Sequence, residues 1–307
     1  VNELAERVRQ LRAEGAFNLP LPGAGHTAER HLALMQTGRM DLSIARLAEA
    51  HTDAVAILAE FGRAARVEGI YGVWASDGPQ SRVTALRTDG GWSLNGTKQY
   101  CSGAGIVEAA LVTAHSPEGL LLFEVPLDVG GISILESRWA NPAFADTATG
   151  PVRFDDVYVA DRRSIGAPGW YLDRPGFWHG AIGPAACWAG GALALIDAAV
   201  ALHRKDPHAL AQVGAMMAIA WGLEVVLVKA GEEIDQRAVG GVHARRRALE
   251  VRHLIERWCT EVLDRFGQAT GPQLLAHDAQ VVRQHTALAV YIRQCHGAKD
   301  LELLASP

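Results

Sequence analysis

Hydroxyls, a lysine, a phenol and a thiol gather in one stretch, residues 72–105, which reads GVWASDGPQSRVTALRTDGGWSLNGTKQYCSGAG. A short polar loop with Ser76, Asp77 and Ser81 leads into a strand in which Val83, Ala85 and Arg87 alternate with Thr84, Leu86 and Thr88. Asp89, Gly90 and Gly91 supply the positive φ angles of a tight reversal, so the spacing predicts a hairpin. Its second strand runs into Asn95, Gly96, Thr97 and Lys98, then Tyr100, Cys101, Ser102 and Gly103. Both flanking loops thus end strands with small residues and free hydroxyls. Elsewhere the reactive patterns fail. Gly23–Ala24–Gly25 does not extend to a dinucleotide fingerprint, and no GxSxG elbow or phosphate loop is present. The twelve histidines never take a metal-binding spacing, so no metal site is expected.

The elements that must position this hairpin fall in three zones, and 307 residues are ample for more than one domain. Residues 1–67 read as a helical domain, with Asp41 placed to cap a long segment running from Leu42 to Phe61. Residues 68–169 read as strand and turn, with apolar runs at 109–114, 120–125 and 152–159. Residues 170–307 read as four helices, 178–203, 208–238, 243–266 and 278–304, forming an antiparallel bundle. A net charge of −5 offers no basic excess for nucleic acid. Arg245, Arg246 and Arg247 read as a solvated helix face beside Glu250. Cys101, Cys187, Cys259 and Cys295 are scattered, which predicts free thiols in a reducing compartment. The charged start is unlike a signal peptide and no apolar run is judged long enough to span a membrane. These readings lead to the expectation of a soluble cytoplasmic protein.

This order of elements, together with three motifs, resembles the acyl-CoA dehydrogenase superfamily and its flavin-dependent monooxygenase relatives. The run Trp74, Ala75, Ser76, Asp77, Gly78, Pro79, Gln80, Ser81, Arg82 stands where that family has Thr-Glu-Pro-Gly-x-Gly-Ser-Asp. Asn95 to Gly103 matches Asn-Gly-x-Lys-x-Trp-Ile-Thr-Asn, and Phe154, Val157 and Val159 match its Phe-x-x-Val-x-Val strand. The resemblance covers nearly the whole chain. It implies an α+β multidomain fold with an N-terminal helical segment, a middle antiparallel β domain and a C-terminal four-helix bundle. It also implies a bound FAD, with FMN as the alternative, and assembly as a homodimer or homotetramer.

By the same resemblance, Trp74, Ala75 and Ser76 line the pyrimidine edge of the flavin and Ser81 approaches the phosphate or acyl side. Tyr100, Cys101 and Ser102 cover the ring and its N5 side. Arg204, beside Lys205, stands where the family has Arg-x-x-Phe-Gly, reaching the diphosphate of a neighbouring subunit's FAD, and Gly267 stands where it has Gln-x-x-Gly. The implied activity is α,β-dehydrogenation of an acyl thioester such as an acyl-CoA, with a hydride passing to FAD. That reaction uses a glutamate near the end of the bundle or on its first helix. Here those places hold Cys295–His296–Gly297 and residues 173–177, without a glutamate. His296 is the expected base, since a neutral imidazole is competent near pH 7; His179 is the second candidate. A reduced-flavin monooxygenase, which needs no such glutamate, and a cofactor-free subunit are the alternatives. The N-terminal zone is shorter than the family's, so the substrate pocket is expected to be remodelled.

Overall fold

The computed structural model describes the chain except residues 1, 66, 67, 79, 80, 137, 138, 140, 238–240 and 307. Val67, Pro79, Gln80, Ala238 and Gly240, used in the sequence reading, therefore lie outside the described residues. By packing, the chain divides into two compact units, residues 1–18 with 50–177 and residues 19–49 with 178–307.

The first unit carries helix α1 (Asn2–Ala13), the later part of α3 (Leu42–Glu60) and eight strands. These are β1 (Tyr71–Trp74), β2 (Val83–Thr88), β3 (Gly91–Cys101), β4 (Ala109–Ser116), β5 (Gly119–Pro126), β6 (Ile132–Ile134), β7 (Gly150–Ala160) and β8 (Ser164–Ile165). They form one sheet in the order β6-β7-β3-β2-β4-β5-β8, with β1 also paired to β4. The sheet is mostly antiparallel, but β1 and β2 each pair with β4 in parallel. The hairpin closes with Thr88 opposite Gly91 and Gly90 at φ 70°. Val83 and Ala85 point inward, while Arg87, in the same phase, is exposed and lies 4.4 Å over the Trp92 ring.

The Asn95–Cys101 segment is not a loop: it is the second half of β3, bent by irregularities after Leu94 and after Lys98. Gly96 makes this bend with φ 126°, where any Cβ would collide with the Arg82 carbonyl. Ala54, Ile57 and Leu58 of α3 pack on Tyr71, Leu111 and Leu122 of the sheet in a fully buried cluster.

The second unit is helical: α2 (Thr27–Met40), the start of α3, α6 (Gly183–Ala201), α7 (Pro207–Arg237), α8 (Val242–Thr270), α9 (Pro272–His277), α10 (Ala279–Tyr291) and α11 (Ala298–Ala305). Two short helices, α4 (Trp170–Asp173) and α5 (Gly176–Gly180), precede α6. Asp41 caps α3 as its sequence suggests, its Oδ1 accepting from the Ser43 and Ile44 N–H groups at 2.7 and 3.1 Å. The expected last helix, 278–304, is instead broken at residues 292–297. A 3-10 turn ends α10, and Gly297, at φ 55°, lets the chain restart as α11.

Small residues on α6 let it pack closely within this unit, and Gly190 lies so close to Met35 and Arg39 of α2 that a Cβ has no room. Contrary to the sequence reading, two helical stretches among the described residues are long and apolar enough by composition to cross a membrane. Gly176–Ala201 is mostly buried in the protein, as a core helix is; Pro207–Gln236 is largely unburied.

Candidate functional site

In the sheet-bearing unit, the residues singled out around the hairpin converge on one buried lysine. Lys98 is 1% exposed, and its Nζ donates to Asp77 Oδ1 and, at 2.8 Å, to Thr113 Oγ1. Thr113 Oγ1 donates onward to the Ala75 carbonyl at 2.9 Å. Asp77 Oδ2 lies 2.7 Å from His115 Nε2. Burial pushes the Lys98 pKa down, with Asp77 opposing it. Asp77 is itself held below the usual carboxylate range: burial raises it, but the bonds from Lys98 and His115 prevail. Ala75 and Asp77, in the loop after β1, are thereby tied to β3 and β4.

The Trp74 indole closes the other side, donating from Nε1 to the Ser102 carbonyl at 3.1 Å. Cys101 is wholly buried, its Sγ 3.5 Å from the Lys98 carbonyl, and burial pushes its thiol up to about 12, so it is a packing residue rather than a nucleophile. Ser76 is exposed. Ser81 forms a bridge with Gly78, and its Oγ is buried without a hydrogen-bond partner among the described residues. Tyr100, expected against a flat ligand, is 51% exposed and lines a cavity of about 350 Å³ with Trp139, Thr149 and Gly150. Trp74 is thus bonded to Ser102, Ala75 to the Lys98–Thr113 pair and Cys101 to the Lys98 carbonyl, while the buried Ser81 hydroxyl lies beside Gly78 without a partner among the described residues.

Arg204, Gly267 and His296 belong to the helical unit. Arg204 is exposed in the turn after α6, and Gly267 lies in the last turns of α8, with its carbonyl accepting from the Gly271 N–H. His296 is not on a helix but in the turn before α11. Its Nδ1 is 3.4 Å from Asp300 Oδ1, and Asp300 Oδ2 accepts from the His296 N–H at 3.1 Å.

Arg252 of α8 fixes this turn: Nη2 donates to the Gln294 carbonyl at 3.0 Å and Nη1 to the Ala181 carbonyl at 2.7 Å. Both histidine candidates, His179 and His296, therefore flank residues gripped by one arginine. Arg204 follows the far end of α6, 19 residues and about 28 Å along that helix. His179 borders a cavity of about 310 Å³ whose arginines, Arg246 and Arg247, are already paired with Glu250 and Glu233.

A glutamate does stand beside the start of α6, supplied by α3. A Cβ on Gly183 would lie 2.8 Å from Glu49 Oε1. Sequence reasoning missed Glu49, Arg252 and the role of Lys98. Arg252 had a signal, because it falls in phase with buried Ala248, Ile255 and Cys259 on α8. Glu49 had none.

Residues 75–157 match the family model described as acyl-CoA dehydrogenase, middle domain. No curated protein matches in sequence. Among solved structures, the dibenzothiophene monooxygenase TdsC from Paenibacillus sp. A11-2, in its FMN-bound form, is 20% identical over 98% of this chain and 94% of its own, with a TM-score of 0.77. An FAD complex of PigA is 16% identical, over 98% and 88%, with a TM-score of 0.81. The ChsE4-ChsE5 complex from Mycobacterium tuberculosis is 17% identical, over 100% and 92%, with a TM-score of 0.78. Likeness at these identities establishes the fold.

Proposed function

From a chain whose residues 75–157 match the acyl-CoA dehydrogenase middle-domain model and whose fold is like that of flavin-bound solved structures, we propose a flavin-dependent oxidoreductase acting on a small molecule, with FAD or FMN as cofactor. The observation that carries this reading is the buried, unpartnered Ser81 hydroxyl beside a loop anchored by Lys98 and closed by the Trp74–Ser102 bond. Such a hydroxyl suits a polar group on the phosphate or acyl side of a bound flavin, and exposed Tyr100 offers an aromatic wall. A bound flavin supplies two-electron transfer and, in its reduced form, oxygen activation. The chain's part is to orient it: Trp74, Ala75, Ser76, Tyr100 and Ser102 would hold the ring, with Ser81 toward its phosphate or acyl side and Cys101 packed beneath. Arg204 would meet the diphosphate of a second copy's flavin.

The monooxygenase branch is the better fit, because the two places where a dehydrogenase carries its glutamate, residues 173–177 and 295–297, hold none here. In this reading His296, held at Asp300, exchanges protons with the substrate. Dehydrogenation of an acyl thioester, with hydride transfer to FAD, is the second reading, favoured by Glu49 beside Gly183. There Glu49 takes the proton α to the thioester carbonyl. A homodimer or homotetramer in a reducing cytoplasm belongs to the same proposal. The exposed apolar residues Leu210, Met217, Trp221 and Val225 of α7 are where a second copy would dock, as light scattering would register.

The deciding measurement is the visible spectrum after equilibration with FMN or FAD and removal of free flavin. Retained flavin is expected, with roughly tenfold weaker retention in Ser81→Ala, the cost of one unmet hydrogen bond. A colourless protein overturns the proposal and leaves the cofactor-free alternative. Anaerobic bleaching by acyl-CoA that is lost in Glu49→Gln would favour dehydrogenation. Substrate oxygenation by reduced flavin and dioxygen, lost in His296→Gln, would favour the first reading.

A further inference from the structure

A second site lies wholly within the sheet-bearing unit and does not depend on the flavin reading. Arg12 and Ala13 at the end of α1, Asn18 beyond it, His51 and Val55 of α3 and Tyr71 of β1 line a cavity of about 330 Å³, at the small end of ligand pockets. The Tyr71 backbone N–H donates to His51 Nδ1 at 3.1 Å. A main-chain N–H can only donate, so Nδ1 carries the lone pair and the ring proton sits on Nε2. Burial, reinforced by the Arg12 charge, pushes the His51 pKa down to about 4. The ring is therefore a neutral donor at pH 7.

No acceptor meets that Nε2–H among the described residues, and Nε2 is not sealed away as a buried orphan. The Arg12 guanidinium and the Asn18 amide likewise have no side-chain partner there. Glu108, the carboxylate beside Gly69 at the cavity edge, is engaged by Arg9 at 3.0 Å and by the Ile70 N–H at 2.6 Å. Among the described residues, the cavity is lined by one permanent positive charge, two neutral donors and an apolar wall of Ala13, Val55 and Tyr71. A planar monoanion with an aliphatic tail satisfies all of these, and the guanidinium fork matches a carboxylate.

We propose that this cavity binds a small aliphatic carboxylate, its carboxylate held by Arg12, Asn18 and the His51 Nε2–H and its tail laid on Val55 and Tyr71. The probe is butyrate, titrated into the whole protein labelled with ¹⁵N-histidine. The expected result is a saturable shift of the His51 ring nitrogens, assigned by their loss in His51→Gln. Arg12→Gln is expected to weaken that binding at least tenfold and Asn18→Ala by a few-fold, while Arg7→Gln, on the same helix, leaves it unchanged. Arg12 and Asn18 are not core residues, so both variants should keep the fold. No saturation by about 10 mM butyrate, a bound on affinity near 3 kcal/mol, overturns the proposal. So does binding indifferent to Arg12→Gln, or inorganic phosphate binding in preference to butyrate.

Discussion

Withdrawing the Lys98 ammonium from water costs several kcal/mol, and Asp77 and Thr113 are what offset it. Removing the lysine leaves the Thr113 hydroxyl oxygen and Asp77 Oδ1 without the donor they share. Lys98→Met is therefore expected to cost roughly 1–3 kcal/mol in denaturant melts and to loosen retained flavin, since the Ala75–Asp77 loop loses its anchor. An unchanged melt together with unchanged retention would remove Lys98 from the site. This tie was not legible in the sequence. Asp77 and Lys98 are 21 residues apart and meet only because β3 and β4 flank the same loop. The residues legible there were Trp74, Ala75, Ser81 and Ser102, whose motif order carried the resemblance, while Ser76 and Tyr100 emerge more exposed than a closed ring site implies.

At the scale of elements, turn chemistry was readable and helix restarts were not. Asp89–Gly90–Gly91 announced the hairpin, but a lone Gly297 with a positive φ gave no sign that one helix would become two. Asp300, reaching back to the His296 N–H, is the local reason that α11 begins where it does. Helix contacts were readable only in kind: small residues on α6 implied close packing, without saying against what. Two glycines separate packing from propensity. Gly190→Ala is expected to lower stability, because its methyl meets the α2 backbone, although alanine favours helices by up to about 1 kcal/mol. Gly214→Ala on α7, with open space around it, is expected to raise stability by about that amount. Thermal melts with the reverse order would overturn this account of the α2–α6 approach.

Over the whole molecule, each unit encloses a neutral histidine, His31 among the helices and His51 beside the sheet, and burial holds both near a pKa of about 4. Unfolded histidine titrates near 6.5, so the unfolded chain takes up protons that the folded one refuses. Their contribution is fully present above about pH 6.5 and is lost as pH falls toward 4, at most about 3 kcal/mol for each. Urea midpoints should fall steeply between pH 6.5 and 4.5, and His31→Gln should shallow that fall. A flat profile would contradict the burial. The three-zone order was visible in the sequence, but packing redistributes it: α2 and the start of α3 belong with the C-terminal helices, a grouping no local pattern encodes.

The four thiols have a practical corollary. Cys101, Cys187 and Cys259 are buried, and only Cys295 is partly open. The native protein thus carries one address for a maleimide dye, adjacent to His296 and two bonds of Arg252 away from His179. Burial raises the pKa of this thiol, so its labelling is expected to be slow at pH 7 and to quicken as pH rises, and the attached dye would report whatever binds or moves at that turn.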